Sequence, residues 1–94
     1  MLQITEQEVS ATQAVYVLVG EITQDQADRL EQLVRSVLEL GKELTLDVSD
    51  VWRVDRPMAE VMAQSWSRPG SKVHLIGVDQ RLLAWLRSVA TERP

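Results

Sequence analysis

The segment Glu43 to Ala63, ELTLDVSDVWRVDRPMAEVMA, decides the fold. Leu44, Leu46 and Val48 alternate with Thr45, Asp47 and Ser49, the period of a strand with one buried face; from Met58 onward apolar residues recur at helical spacing. A strand therefore runs through a loop, Ser49 to Arg56, into a helix opened by Pro57. Because the residue before a proline is biased away from helical angles, Arg56 is expected at the cap, Pro57 at the first helical position and Asp55 just outside. In open α/β sheets the crevice beyond the carboxyl end of such a strand is where loops and helix starts converge on ligands and partners. The working surface is expected at Arg53 to Met58.

Upstream, Met1 to Glu8 alternates weakly as a short edge strand, Ser10 to Gln13 is a polar turn, and AVYVLVG reads as a second strand buried on both sides and ended by Gly20. The two form a hairpin. Thr23 and Gln26 have capping-box spacing, and Ala27, Leu30, Val34, Val37 and Leu38 make one stripe of a helix that Gly41 closes. Downstream, Met58, Ala59, Met62, Ala63 and Trp66 share a face of the second helix, which Arg68, Pro69 and Gly70 end. KVHLIGV is the last strand, and Asp79 caps a final helix carrying Leu82, Leu86 and Val89 inward. The order β-β-α-β-α-β-α predicts one α/β domain over residues 1–94, a mixed sheet of about four strands with three helices.

A chain of 94 residues has room for one core. Its formal charge of −4 and lack of a basic tract argue against nucleic-acid and anionic-membrane binding, and no apolar run approaches the roughly 20 residues of a membrane span. The reading is cytoplasmic. With no cysteine there is neither disulfide nor thiolate metal site, and the single histidine, His74, is expected to be structural. Neither a nucleophile elbow nor a phosphate-binding glycine loop is present, so no enzyme activity, cofactor or metal is expected.

Two readings stand for Asp55 and Arg56. In one, Asp55 satisfies backbone N–H groups at the helix start while Arg56 pairs with Asp55 or Asp50; in the other, Arg53 and Arg56 receive an acidic or phosphate-bearing group there. Trp52, beside them in the loop, is expected to be partly exposed and to touch a partner, since tryptophan and arginine are enriched in interface hot spots. Trp66 and Trp85 read as packing residues. Met58 and Met62 are either core filler or, facing outward, an adaptable binding surface.

These segments resemble the STAS domains, the family of anti-sigma factor antagonists that also includes domains of sulfate transporters, stressosome proteins and a subunit of bacterial lipid-transport ABC complexes. VYVLVGEIT resembles that family's second strand and turn, ELTLDVSDVWRVDRPMAEVM its strand, loop and switch helix, and KVHLIGVDQRLLAWL its last strand and helix. In switchable antagonists the loop aspartate is followed by Ser or Thr that a kinase phosphorylates. Here Asp55 is kept but Arg56 and Pro57 take both hydroxyl positions, and Thr23 stands where an acidic residue usually ends the turn. Arg56 places a fixed positive charge where a phosphate would add about −1.5 to −2.

The resemblance implies a regulatory protein-binding module not switched at the usual site, with Trp52, Arg53, Asp55, Arg56, Met58 and Met62 toward the partner. The implied partner is an anti-sigma factor with a kinase-like ATPase fold, bound constitutively, or else the ATPase or permease of a transporter, or a larger regulatory assembly. Two alternatives remain open: a small anion or nucleotide sensor built on Arg53 and Arg56, and a homodimer through the edge of the first strand.

Overall fold

The structure is a computed structural model and describes residues 2–66 and 69–91. Strands β1 (Leu2–Val9) and β2 (Gln13–Ile22) are followed by α1 (Ala27–Glu39), β3 (Glu43–Val54), α2 (Arg56–Val61), which continues as a π turn (Met62–Trp66), β4 (Val73–Ile76) and α3 (Gln80–Thr91). The sheet order is β1-β2-β3-β4, with the hairpin pair antiparallel and β2–β3 and β3–β4 parallel, joined by helical crossovers. This is the α/β arrangement expected from the order of elements. Met1, Ser67, Arg68 and the side chain of Val89 lie outside the described residues.

One core unites the layers. Leu18 and Ile22 of β2 and Leu44, Leu46 and Val48 of β3 meet Leu30 and Val37 of α1, Met58 of α2, Met62 and Trp66 of the π turn, and Leu86 of α3. All helices therefore cover the same face of the sheet. Val15, Val17 and Val19 are half-buried on the other face and lie outside that cluster, so β2 is not covered on both sides as its run of apolar residues suggested. β-branched residues suit an open pleated face without a layer above it.

Local chemistry sets the element ends. Ser10 holds the hairpin turn, its Oγ accepting from Gln13 N at 3.2 Å and its N–H donating to Gln13 O at 2.8 Å. Gly41, at φ 75°, closes α1 and donates to Leu38 O at 3.0 Å. Three ends differ from expectation. β2 runs past Gly20 to Ile22, because Glu21 and Ile22 still pair with Arg53 and Val54. Thr23 caps with no side-chain hydrogen bond; Gln24–Gln26 form a 3₁₀ turn held by Gln26 N–H on Thr23 O at 2.9 Å, so there is no capping box. β4 covers only Val73–Ile76, pairing with Leu44 to Asp47.

Candidate functional site: the far end of β3

The segment expected as a loop is strand. β3 stays paired with β2 up to Val54, but its register slips twice: Val17 pairs with Asp47 and Val19 with Asp50, then Gly20 with Val51 and Glu21 with Arg53. Each slip inserts one extra residue into β3. The inward positions after Val48 thus fall at Val51 and Val54, both packed against the core, at a spacing of three instead of two. Trp52 is the extra residue of the second bulge. It has no partner on β2 and is 68% exposed. Bulges re-aim side chains in this way and are over-represented at edges and beside working sites.

Asp55 is the anchor of this end. It is the N-cap of α2, its Oδ1 accepting from Met58 N–H at 3.1 Å, and its Oδ2 accepts from Gln24 N–H at 2.7 Å, 31 positions away. One carboxylate therefore satisfies donors at the starts of two helical segments, which explains why Thr23 is not needed as a side-chain cap. The cap lies one residue earlier than expected: Arg56 and Pro57 are already inside the first turn. Pro tolerates that turn because its missing N–H would have no helical partner there. At the start of α2 Met58 N–H is taken by the Asp55 carboxylate and Ala59 N–H by the Asp55 carbonyl, and Pro57 has no N–H, so few donors are left there for a bound anion.

Asp55→Ala removes both contacts and is expected to destabilise the fold by roughly 1–3 kcal/mol, read by urea unfolding. Asp55→Asn should recover only part of this, since one amide oxygen serves one N–H and the amide nitrogen meets the other donor.

Arg53 and Arg56 are solvent-facing. Arg53 lies 3.7 Å from Glu21 across the sheet, and Arg56 lies 3.7 Å from Glu60, one turn on. Exposed pairs of this length hold a side chain loosely, at about 0–1 kcal/mol each. Met58 and Met62 correct the outward reading. They are 1% and 0% exposed and belong to the core, because residues three and seven positions after the cap point α2 toward the sheet. Trp52, Arg53 and Arg56 remain as the expected contact residues at the surface, with Asp55 as the residue that positions them.

A cleft of about 860 Å³ opens between this end of β3 and α3. Trp52 and Arg53 line one side, and Arg81, Trp85 and Ser88 the other. Trp66 is buried, but Trp85 is 37% exposed, against the expectation that both would pack inside. The signal was available: at 3.6 residues per turn Trp85 lies about 100° from Leu86 around α3, on the flank of the apolar stripe. Asp79 does cap that helix, accepting from Leu82 N–H at 2.7 Å. His74 sits on the open sheet face, 2.9 Å from Glu43 Oε1, and among the described residues no cluster of side chains could hold a metal ion.

Beside the site, Asp47 accepts from the Ser49 hydroxyl at 2.5 Å and from Ser49 N–H at 2.9 Å, and these donors, the hydroxyl foremost, hold its carboxyl below the ordinary carboxylate value. A carboxyl whose folded value is depressed contributes stability above its unfolded value, about 4, that is lost as pH falls through the folded one. Ser49→Ala should therefore lower the melting temperature at pH 7, with the gap to the parent narrowing as pH falls below about 4, the unfolded carboxylate value, and through the depressed folded one. A gap of constant size across that range would mean that the hydroxyl acts through packing alone.

No protein-family model matches the chain, and neither does any curated protein. Among solved structures it is similar to a protein from Shewanella loihica PV-4, an uncharacterized protein of the DUF3478 family with a SpoIIAA-like fold. The TM-score is 0.50 at 12% identity, over 90% of this chain and 93% of that one. The fold is thus the SpoIIAA-like fold, that of the STAS domains and anti-sigma factor antagonists. At 12% identity the likeness is one of fold alone. No helix among the described residues is long and apolar enough to cross a membrane.

Proposed function

We propose that this chain is a non-enzymatic regulator of the anti-sigma factor antagonist kind, which docks a partner protein through the bulged end of β3. Trp52 carries the reading: a tryptophan 68% exposed, in a bulge that lifts it from the sheet, next to two arginines. Burying such a side chain against a partner removes a large apolar area from water, and the arginines supply donors around it. Arg56 and Pro57 stand where the antagonists carry their hydroxyls, so docking is constitutive with respect to that switch. The partner is a kinase-like ATPase of the anti-sigma factor type, or else the ATPase of a transporter. The anion-sensor alternative is less well supported, since Asp55 fills the helix start it requires.

Affinity capture from the native lysate, run in parallel with Arg56→Glu and Trp52→Ala, tests this. A kinase-like or transporter ATPase retained by the parent and lost by both folded variants is the expected result. Equal retention by all three would refute docking at this end of β3.

A further inference from the structure

The helices pack on one face of the sheet, where Leu30, Val37, Met58, Trp66 and Leu86 join a single cluster, and the described helices leave the other face bare. On that bare face β2 carries Val15, Val17 and Val19 in a row, all half-buried. Each valine has one cross-strand partner on β1, in Glu8, Thr5 and Gln3, and one on β3, in Thr45, Asp47 and Asp50. The apolar stripe is therefore one strand wide, with polar flanks on both sides. Ile76, on β4, stands apart from it beyond Asp47.

A carboxylate stands beside every valine of the row: Glu8 by Val15, Asp47 by Val17 and Asp50 by Val19. The other acidic groups of this face are engaged, Glu21 with Arg53 at 3.7 Å and Glu43 with His74 at 2.9 Å. Glu8, Asp47 and Asp50 meet no cation among the described residues. The contacts of Asp47 are the neutral N–H and hydroxyl of Ser49, which favour its ionised form. The surplus is negative on any count, since five carboxylates of this face outnumber Arg53, Lys72 and even a protonated His74.

The shape of the stripe selects its cover. Val15 to Val19 spans about 13 Å, the rise of about nine helical residues, and β1 and β3 lie about 10 Å apart, the width of one helix. A second sheet would set apolar side chains on Thr5 and Asp47. A second copy of this face would bring carboxylates against carboxylates, which is unfavourable.

We propose that the bare face of the sheet binds a basic amphipathic helix of a partner protein, its apolar stripe along Val15, Val17 and Val19 and its lysines or arginines toward Glu8, Asp47 and Asp50. Apolar burial supplies the affinity, and the flanking charges fix partner choice and register. This surface does not include Trp52, so it stands apart from the docking reading above.

The test uses the full chain with ¹³C-labelled valine methyls and a displayed library of 15-residue helical peptides randomised on one face and its flanks. Selected peptides should carry apolar residues at helical spacing flanked by lysine or arginine. Binding should shift the methyl signals of Val15, Val17 and Val19 and leave those of the core residues Val37 and Val48 in place. Glu8→Lys with Asp50→Lys, both at exposed positions, should weaken binding at least tenfold, as should Val17→Lys. If Val17→Lys fails to fold, the double variant decides. Trp52→Ala should bind the peptide like the parent. Selection of no peptide, selection without basic flanks, unmoved signals at the three valines, or full affinity in the double variant would each overturn the proposal. Loss of peptide binding in folded Trp52→Ala would also overturn it, by moving the peptide to the end of β3. A dimer by sedimentation of the free chain, lost in the double variant, would give the face to a second copy and overturn it as well. None of these results bears on capture of the ATPase through Trp52, which fails or holds separately.

Discussion

Gly77→Ala is expected to lower the melting temperature by at least about 10 °C. Gly77 follows β4 at φ 74°, and a Cβ there would stand 2.0 Å from Ser49 Oγ, 2.9 Å from Asp47 Oδ1 and 2.9 Å from Ser49 N. The hydroxyl could rotate away only by leaving Asp47, and the backbone nitrogen cannot move without shifting β3. The left-handed backbone alone costs an alanine about 1–2 kcal/mol, and displacing the strand adds to it. For a domain of this size each kcal/mol is worth roughly 4–8 °C. Gly41→Ala supplies the control: its φ is 75°, but nothing lies within 4 Å of the added carbon, so it should show the backbone cost alone. Equal losses in the two variants, measured by calorimetry, would mean that the end of β4 does not press on the Asp47–Ser49 segment.

The second large effect is at Met62. Its side chain is fully buried beside Met58 and Trp66, so Met62→Ala should cost about 2–5 kcal/mol and Met62→Leu, which keeps the volume, under about 1.5. Stabilities of about 0.05–0.15 kcal/mol per residue put the whole domain near 5–14 kcal/mol, so the alanine variant removes a large share. Urea midpoints measure this directly. A loss under about 1 kcal/mol for Met62→Ala would be incompatible with a core position and would return Met62 to the candidate surface.

The contrast between Met62 and Trp52 also shows what could be read in the chain. Strict period-two alternation from Leu44 to Val48, and the helical stripe from Ala27 to Leu38, are local patterns that tertiary packing had no reason to override, and both elements formed where they were expected. The far end of β3 was illegible for a definite reason. Two bulges space Val48, Val51 and Val54 three apart, so a paired strand carries no alternation and resembles a loop. Asp55 is legible as a helix-start residue but one position out, because the bias of the residue before Pro57 points to Arg56 as the cap, whereas Arg56 is already helical; its second contact, with Gln24, is made across the fold and has no local mark. Trp85 reads as a packing residue because large aromatics dominate small cores, and its angle around α3 is what leaves it 37% exposed.

The exposure of Trp52 was legible through chemistry instead of pattern. A tryptophan between valine and arginine beside a cap is unusual for a loop, and the sheet delivers that side chain to solvent. Its neighbours divide by role: Asp55 ties backbone, Met58 and Met62 fill the core, and Arg53 and Arg56 stay in solvent with weak acidic neighbours.

The central claim is that partner affinity resides in Trp52 at no cost to the fold. It is tested most directly by titrating the captured ATPase with parent and Trp52→Ala protein in a calorimeter, beside melting curves of both. The account predicts affinity lowered by about thirtyfold or more, the mark of a hot spot worth 2 kcal/mol, with stability within about 0.5 kcal/mol of the parent. Unchanged affinity in a variant that melts like the parent would contradict it.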